Sequence, residues 1–205
     1  FCVVDDCNAN FGDCTAASGC ETDTRTSSAH CGECDNPCDA DSWCVSSACE
    51  AIPFTQLSAG DQFMCALRAD GRVFCWGDNA SGQLGNDDIA TTHRSNAAEV
   101  TGLTDAVEIT AGWEHACARR QSGAVVCWGR NSYGQLGDGT DSPRLVPTPV
   151  LGITDALEIA AGREHTCARR ASSVMCWGRN SYGQLGNGAY SFGATSTPVA
   201  VSNLT

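Results

Sequence analysis

Lysine is absent from this 205-residue chain, and twelve arginines face 24 acidic residues, which gives a formal net charge of −12 at pH 7. The acidic residues are concentrated at the start, where residues 1–50 carry ten of them against the single Arg25. A strongly acidic chain without a basic cluster repels the phosphates of nucleic acids and the headgroups of anionic lipids. The composition therefore predicts that neither a nucleic acid nor a membrane surface is the partner.

Long apolar runs are missing too. No stretch approaches the roughly 20 residues that a bilayer-spanning helix requires, so we expect no membrane insertion. No signal peptide is visible, and the chain begins with Phe1 instead of methionine. We interpret the sequence as a processed or internal part of a longer protein.

Signatures of common catalytic and phosphate-binding sites are absent as well. There is no G-x-S-x-G motif, and the glycine-rich GDGTD at 137–141 is followed by Ser-Pro, where a phosphate-binding loop needs Lys-Ser or Lys-Thr. His115 and His165 each follow a glutamate and lie two residues before a cysteine, a set that could supply a nucleophile and its base. Because this set recurs with the repeat described below and has Phe63 in its first copy, we interpret both histidines as structural. We predict no catalytic residue and no cofactor.

Cysteine, in contrast, is abundant. The chain has 15 cysteines, and nine of them precede residue 50. Such a density is typical of proteins in oxidising compartments, so we expect a secreted or cell-surface protein.

A long motif is repeated in the second part of the chain. The stretch CWGRNSYGQLG at 127–137 recurs letter for letter at 176–186, and CWGDNASGQLG at 75–85 is a looser copy. An Ala-Gly pair precedes each copy, and successive units are 49 to 52 residues apart. A catalytic site is usually needed once, whereas a structural unit recurs as often as the architecture repeats. This period predicts a propeller or solenoid unit.

Each unit contains short strand-like segments separated by glycine-rich turns. In the third unit these are LEIAAG at 157–162, HTCARR at 165–170 and SVMCWG at 173–178. A Pro/Thr/Val segment, such as VPTPV at 146–150 or STPVAV at 196–201, is predicted to form a fourth strand. The NSYGQLG segments are predicted loops, with glycines where the backbone needs positive φ. No long amphipathic helix is indicated, so the fold is predicted to be all-β.

A cysteine pair recurs in every unit, with a spacing of nine or ten residues. Three-residue hairpin loops that end in glycine, at 69–71 and 121–123, place the two cysteines opposite each other, and a two-residue loop at 171–172 does the same in the third unit. Opposed residues at a non-hydrogen-bonded site lie within disulfide reach. The alternative is a set of reduced core thiols. We predict one cross-strand disulfide per unit, namely Cys65–Cys75, Cys117–Cys127 and Cys167–Cys176.

The pattern AGxxHxCA followed by CWGxNxxGQLG resembles the regulator of chromosome condensation repeat, over about residues 54–205. The resemblance implies four-stranded β-propeller blades. The tail at 197–205 parallels TPVLGITDA at 148–156, so we expect three blades plus the start of a fourth. Because propellers of this family usually close with about seven blades, either further blades or blades of other chains would complete the ring. The predicted blades are about 54–103, 104–153 and 154–205.

The resemblance also raises two activities of relatives. The founding member is a nucleotide exchange factor for a small GTPase and binds chromatin, but its contact residues cannot be mapped onto this chain, and exchange activity is kept as a remote alternative. A plant relative senses ultraviolet light through clustered tryptophans. GWEHA at 112–116 is similar to its motif, but the matching positions in the other units are Asp61 and Arg163. The tryptophans of the repeated CWG are interpreted as core residues.

The first fifty residues have a different character. Turn-forming residues separate the cysteines of this segment. It has too few apolar residues to form a stable hydrophobic core without disulfide cross-links. GCETD at 19–23 followed by CGECDNPC at 31–38 resembles cysteine-rich modules of secreted bacterial proteins. We therefore predict a small disulfide-rich, loop-rich module at 1–50, followed by the repeats at 51–205.

The odd number of cysteines in this module leaves one without a partner. We expect Cys2 to be free or to pair with a cysteine upstream, and Cys44 to pair with Cys49 across a small hairpin. Fifteen pairings are possible for six cysteines, and the sequence does not choose among them. These six predicted disulfide cysteines are Cys7, Cys14, Cys20, Cys31, Cys34 and Cys38.

The sequence also contains candidate metal and glycan attachment sites, each of which has a structural alternative. HCGECDNPC at 30–38 offers zinc-type ligands, but a second spaced ligand pair is missing, so disulfides are predicted instead of a metal. Acid pairs such as the one at 87–88 do not match an EF-hand loop. Asn79 and Asn203 begin formal N-glycosylation sequons, and Asn79 is interpreted first as a turn residue.

Together these features predict a non-enzymatic secreted or cell-surface structural or interaction protein, which could be a building block of an extracellular assembly. The alternative is a propeller module that binds a glycan or a protein through loops that differ between units, at 86–100, 138–146 and 187–195. The expected partner is thus a protein or a second copy of the chain, with a glycan as a further possibility.

Overall fold

The computed structural model describes residues 11–12, 22–23, 41–45, 48–88 and 90–204, and all regular elements in these residues are β-strands. The chain divides into two compact units, Phe1–Pro53 and Phe54–Thr205. The first unit contains two short antiparallel pairs. These are β1 (Phe11–Gly12) with β2 (Thr22–Asp23), and β3 (Ser42–Val45) with β4 (Ala48–Ala51).

The predicted disulfides of the first unit are only partly within the described residues. Cys44 lies directly opposite Cys49 in the register of β3 and β4. The remaining cysteines of this unit lie outside the described residues, as does the candidate zinc stretch at 30–38. These are Cys2, Cys7, Cys14, Cys20, Cys31, Cys34 and Cys38.

The second unit consists of three antiparallel sheets, each of four consecutive strands. The first blade is β5 (Phe54–Ala59), β6 (Phe63–Arg68), β7 (Val73–Asp78) and β8 (His93–Glu99). The second is β9 (Ala106–Ala111), β10 (His115–Arg120), β11 (Val125–Gly129) and β12 (Arg144–Pro149). The third is β13 (Glu158–Ala161), β14 (His165–Arg169), β15 (Val174–Asn180) and β16 (Ser191–Ala200).

These sheets confirm the predicted all-β fold of propeller-type blades. The Pro/Thr/Val segments form the fourth strands of the second and third blades, as expected. Residues 201–204 follow β16 and contain no strand, so the described residues include no strand of a fourth blade.

The hairpin between the second and third strands of each blade sets the cysteine register. Gly71 and Gly123 take φ values of 86° and 85°, which closes the three-residue loops of the first two blades. In the third blade, the Arg170 N–H donates to the Ser173 carbonyl across a two-residue loop. The cysteines are therefore opposed in every blade, with sulfur atoms 2.07 to 2.14 Å apart.

The apolar cores lie between neighbouring blades. One cluster joins residues of the first and second blades, including Leu84, Ile109 and Trp128, and another joins the second and third blades around Leu136 and Trp177. Burial of these side chains between the sheets is the main apolar contribution to stability. Each blade is thus stabilised by its neighbours.

The first strands of the three blades, β5, β9 and β13, lie side by side and bond through side chains. The Gln56 amide donates to the Ile109 carbonyl and accepts from the Ile109 N–H, both at 2.8 Å. The Ala111 N–H donates to Ser58 Oγ, and the Ala161 N–H donates to Thr110 Oγ1, each at 2.9 Å. These bonds fix the three Ala-Gly segments beside one another.

Candidate functional site

The asparagine of each WG-x-N motif organises the GQLG loop that follows it. Asn79, Asn131 and Asn180 are buried, and their Oδ1 atoms accept the N–H of the loop leucine at 3.0 to 3.1 Å. Their Nδ2 atoms donate to carbonyls of the following turn. In the folded chain, Asn79 of the formal sequon at 79–81 is therefore a buried structural residue of the loop.

The tryptophan of the motif connects the second blade to the first and the third blade to the second. Trp128 Nε1 donates to the Gln83 carbonyl at 3.0 Å, and Trp177 Nε1 donates to the Gln135 carbonyl at 2.9 Å. Both indoles are fully buried. A Cβ atom on Gly85 would lie 2.7 Å from Trp128 Nε1, so only glycine allows this approach. The GQLG loop of one blade thus accepts the hydrogen bond of the tryptophan in the following blade.

The histidines of the repeated Glu-His-x-Cys are also used structurally. His115 is fully buried, and its Nε2 donates to Thr166 Oγ1 at 2.9 Å, because that hydroxyl donates to the Gln135 carbonyl at 3.0 Å. Burial, with a smaller contribution from the charge of His165, lowers the pKa of His115 to about 3. The Nδ1 atom has no hydrogen-bond partner among the described residues, whereas a catalytic base needs a group that orients it.

The other two units fill this position in related ways. His165 is partly buried, which lowers its pKa. Phe63 is 3% exposed in the first blade, and its ring lies against Gly60 as the imidazoles lie against Gly112 and Gly162. A position that accepts phenylalanine and histidine alike is a packing position.

A groove runs along the ends of the three first strands. It has a volume of about 660 Å³ and is lined by the three Ala-Gly pairs and the residue after each pair. That residue is Asp61, Trp113 and Arg163 in successive blades. The Asp61 N–H donates to the Trp113 carbonyl at 3.2 Å, and the Trp113 N–H donates to the Arg163 carbonyl at 3.0 Å. The backbone therefore places three unlike side chains in a row.

The positively charged side chain in this groove, Arg163, lies against the ring of Trp113. The Arg163 guanidinium carbon lies 4.0 Å from the centroid of the Trp113 ring, and that of Arg130 lies 5.3 Å from it. Such cation–π contacts hold a guanidinium plane in place. Arg130 is neutralised by Glu114 at 3.0 Å, and Arg179 is neutralised by Glu164, which also raises the pKa of Arg179 through their hydrogen bond.

Arg163 differs from every other arginine in the described residues. Each of the other ten lies within 4.0 Å of a carboxylate oxygen, whereas Arg163 is exposed and has no such partner there. In a chain with twice as many acids as bases, an arginine without a carboxylate is unusual. The Asp61 carboxylate is also exposed, and within the described residues its one side-chain hydrogen bond is from the Gln62 amide, at 3.4 Å.

The sequence had pointed to other residues as the source of specificity. In the alternative hypothesis, the variable loops at 86–100, 138–146 and 187–195 bind the partner, but some polar side chains of these loops bond within their own blade. In the second blade, Asp138 accepts hydrogen bonds from Asn131 at 3.1 Å and from Arg144 at 2.6 Å. In the sequence, Trp113 stands out only as a match to a relative's motif, and Asp61 and Arg163 only as mismatches to it. The signal that could have found them is that they vary within an otherwise repeated Ala-Gly-x-x-His segment.

Two further features, a metal-binding cluster and a membrane-spanning helix, are absent from the described part of the chain. In these residues no group of three or more histidine, cysteine or acidic side chains is close enough to hold a metal ion. The same residues contain no helix long and apolar enough to cross a membrane.

The blades match a known repeat in sequence. Two profiles of the regulator of chromosome condensation (RCC1) repeat match the chain, one at 54–83, 106–135 and 157–184 and the other at 70–119 and 122–169. Together they span residues 54–184, which is more than half of the 205 residues. The chain belongs to the RCC1 repeat family. The RCC1 resemblance drawn from the sequence is therefore confirmed.

Individual relatives share the repeats and little else. The chain is 36% identical over 98 residues to the human probable E3 ubiquitin-protein ligase HERC4, and 38% identical over 99 residues to human HERC3, described in the same words. The alignments cover 47% and 46% of this chain but 9% of each relative. They concern the RCC1 repeats alone. Human WBSCR16 has the same fold, with a TM-score of 0.64 over 78% of this chain and 44% of that chain, at 22% identity.

Proposed function

We propose that this chain is a non-enzymatic, exported RCC1-repeat module that binds a protein partner through the groove of Asp61, Trp113 and Arg163. The observation that carries the proposal is that the repeated side chains stabilise the blades, whereas the groove residues differ from one blade to the next. The repeated histidine, asparagine, glutamine and tryptophan side chains bond to the blades themselves. The residues after the Ala-Gly pairs, of which Asp61 and Arg163 are exposed and Trp113 is partly buried, differ in charge and shape from blade to blade, as binding residues on a repeat scaffold do.

The absence of enzyme activity is part of the proposal. The cysteine after each repeated histidine lies at bonding distance from a second cysteine, so no free thiolate is available to act as a nucleophile. His115 has a pKa of about 3 and contacts no solvent, so it cannot exchange protons with a substrate near neutral pH.

Export is supported by the same cysteine pairs. Each lies inside a blade with its sulfur atoms at bonding distance, and disulfides persist in oxidising compartments. We include a secreted or cell-surface location in the proposal. Its test is the location of the native protein in its source cells by fractionation, and recovery from a reducing cytosolic fraction would contradict it.

A peptide selection tests the binding function. A displayed library of random peptides is selected for binding to the oxidised chain. The affinity of the recovered peptides is then measured for two variants of the chain. The groove variant carries Asp61→Ser, Trp113→Ser and Arg163→Ser. The control replaces three aromatic residues that are 76 to 88% exposed outside the groove, with Tyr182→Ser, Tyr190→Ser and Phe192→Ser. We expect binding to the control to be unchanged and binding to the groove variant to fall by about tenfold or more. Failure to enrich peptides, or equal binding to both variants, would overturn the proposal.

Self-association is a second candidate function, favoured by the first blade. Leu57 is 64% exposed, whereas its equivalents Ile109 and Ile159 are 3% and 6% exposed because the preceding blade covers them. The surface that covers them includes a GQLG loop, and the third blade carries such a loop at 183–186. We propose that the third blade of a second copy packs on Leu57, which would make the chain a building block of an assembly.

Light scattering after size-exclusion chromatography tests this second candidate. We expect association that increases with concentration and is weakened by Leu57→Asp, but not by Val107→Asp at another exposed position of a first strand. A monodisperse monomer at every concentration would refute it, and so would association that Leu57→Asp leaves unchanged.

A further inference from the structure

The groove contains a single guanidinium that is held in place but not neutralised. Arg163 stacks on Trp113 at 4.0 Å and has no carboxylate within ion-pair distance among the described residues. We propose that Arg163, supported by Trp113, is a binding site for a carboxylate of the partner peptide, either an Asp or Glu side chain or a chain terminus. This inference rests on the proposed function, because it names the chemistry of the ligand that the groove binds.

The geometry suits a planar anion. Guanidinium presents its N–H donors in a rigid fork that matches the two oxygens of a carboxylate. Stacking on an indole leaves the edges of the guanidinium, where these donors lie, free to bond. Trp113 is itself partly buried and contacts both Arg163 and Arg130, so the pair of Arg163 and Trp113 is preorganised before a ligand arrives.

The surrounding charges favour a carboxylate over a phosphate. Glu114 and Glu164 are paired with Arg130 and Arg179, so neither of these arginines is free to bind a second anion. Asp61 lies in the same groove and has no ion-pair partner in the part of the chain that the structure describes, and the whole chain carries a net charge of −12. The one free guanidinium neutralises a carboxylate, whereas a phosphate with a charge near −2 would keep about one uncompensated negative charge beside Asp61.

Three matched pools of synthetic peptides provide the test. One pool contains a glutamate in every peptide, the second has glutamine at that position, and both are amidated at the C-terminus. The third repeats the glutamine pool with a free terminal carboxylate. Each pool is measured on the oxidised chain and on Arg163→Gln, Arg163→Lys and Arg94→Gln. Arg94 is the control, since it lies outside the groove near Asp88.

We expect the glutamate pool, the free-carboxylate pool or both to bind the wild-type chain about tenfold more strongly than the amidated glutamine pool. This preference should vanish in Arg163→Gln, weaken in Arg163→Lys and persist in Arg94→Gln. The two acid-containing pools distinguish a side chain from a chain terminus. Quenching of Trp113 fluorescence by the same pools, absent in Trp113→Phe, provides a second readout at the site.

Each contrary result has a distinct meaning. Equal binding of all pools to the wild-type chain overturns the carboxylate site and leaves the interaction function standing. A carboxylate preference that survives Arg163→Gln also overturns it, because another group must then bind the anion. No binding of any pool contradicts both the site and the proposed function.

Discussion

The indole of Trp128 donates its only N–H to the carbonyl of Gln83, which belongs to the preceding blade. Trp177 makes the same bond to Gln135 one blade later. The middle copy of CWG-x-N-x-x-GQLG, at 127–137, therefore contains both a donor for the blade before it and an acceptor for the blade after it. This reciprocity is why the chain repeats the motif almost letter for letter.

Replacing Trp128 with phenylalanine should weaken this interface. The substitution removes the hydrogen bond, leaves the buried Gln83 carbonyl unsatisfied and creates a small cavity, so we expect a loss of about 2–4 kcal/mol in the free energy of unfolding. Trp76→Phe is the matched control, because Trp76 is only partly buried and has no such bond among the described residues. Urea denaturation of the oxidised chain measures both, and equal losses would contradict the assigned role.

Asn131→Asp should destabilise the second GQLG loop. The Asn131 Nδ2 donates to the carbonyls of Thr140 and Ser142 at 3.0 Å, and a carboxylate at this buried position would repel both of them. We expect a loss of about 2–4 kcal/mol in stability at neutral pH. The exposed Asn203 provides the comparison, since Asn203→Asp should change stability by less than about 0.5 kcal/mol. A mild effect of Asn131→Asp in the same urea titration would show that the loop does not depend on this amide.

His115 should make stability depend on pH. Its pKa is about 3 in the folded chain because of burial and the nearby His165, whereas an unfolded histidine titrates near 6.5. Between these two pH values, His115 is protonated in the unfolded state but neutral in the folded state. The free energy of unfolding therefore decreases as pH falls below about 6.5, by up to about 1.4 kcal/mol per pH unit, until about pH 3.

His115→Phe isolates this contribution, because phenylalanine occupies the same position in the first blade. The difference in stability between wild type and His115→Phe should change with this slope as pH falls from about 6.5. Parallel pH profiles for wild type and His115→Phe would mean that His115 is not buried as a neutral group.

The blade cysteines should be unreactive before reduction. Thiol labelling of the unfolded, unreduced chain is expected to modify none of the six, because all are paired across strands. Removing one pair with Cys117→Ser and Cys127→Ser should cost about 2–3 kcal/mol, the contribution expected from closing a loop of about ten residues. Six reactive thiols from this region would favour reduced core cysteines instead.

Much of the blade architecture followed from the sequence because local rules determine it. The glycine at the end of a three-residue turn sets the hairpin register, and that register in turn places Cys65 opposite Cys75. The shortened third hairpin was predictable for the same reason, since a two-residue loop keeps Cys167 opposite Cys176. Such relationships depend on residues fewer than a dozen positions apart.

The groove could not be predicted in this way, because its residues are about 50 positions apart. Trp113 and Arg163 become neighbours only through bonds between first strands, such as Ala161 N–H to Thr110 Oγ1. The absence of a carboxylate near Arg163 is likewise a property of the folded chain. From the sequence, Arg163 was one arginine among twelve.

The central claim, that the groove is the binding surface, is tested most directly by amide hydrogen exchange. The oxidised chain is compared with and without the peptide that the display selection enriches most. We predict slower exchange confined to the three Ala-Gly-x segments, at 59–61, 111–113 and 161–163. Protection of the outer loops at 86–100, 138–146 or 187–195, with none in these segments, would contradict the account and place the binding surface on the variable loops.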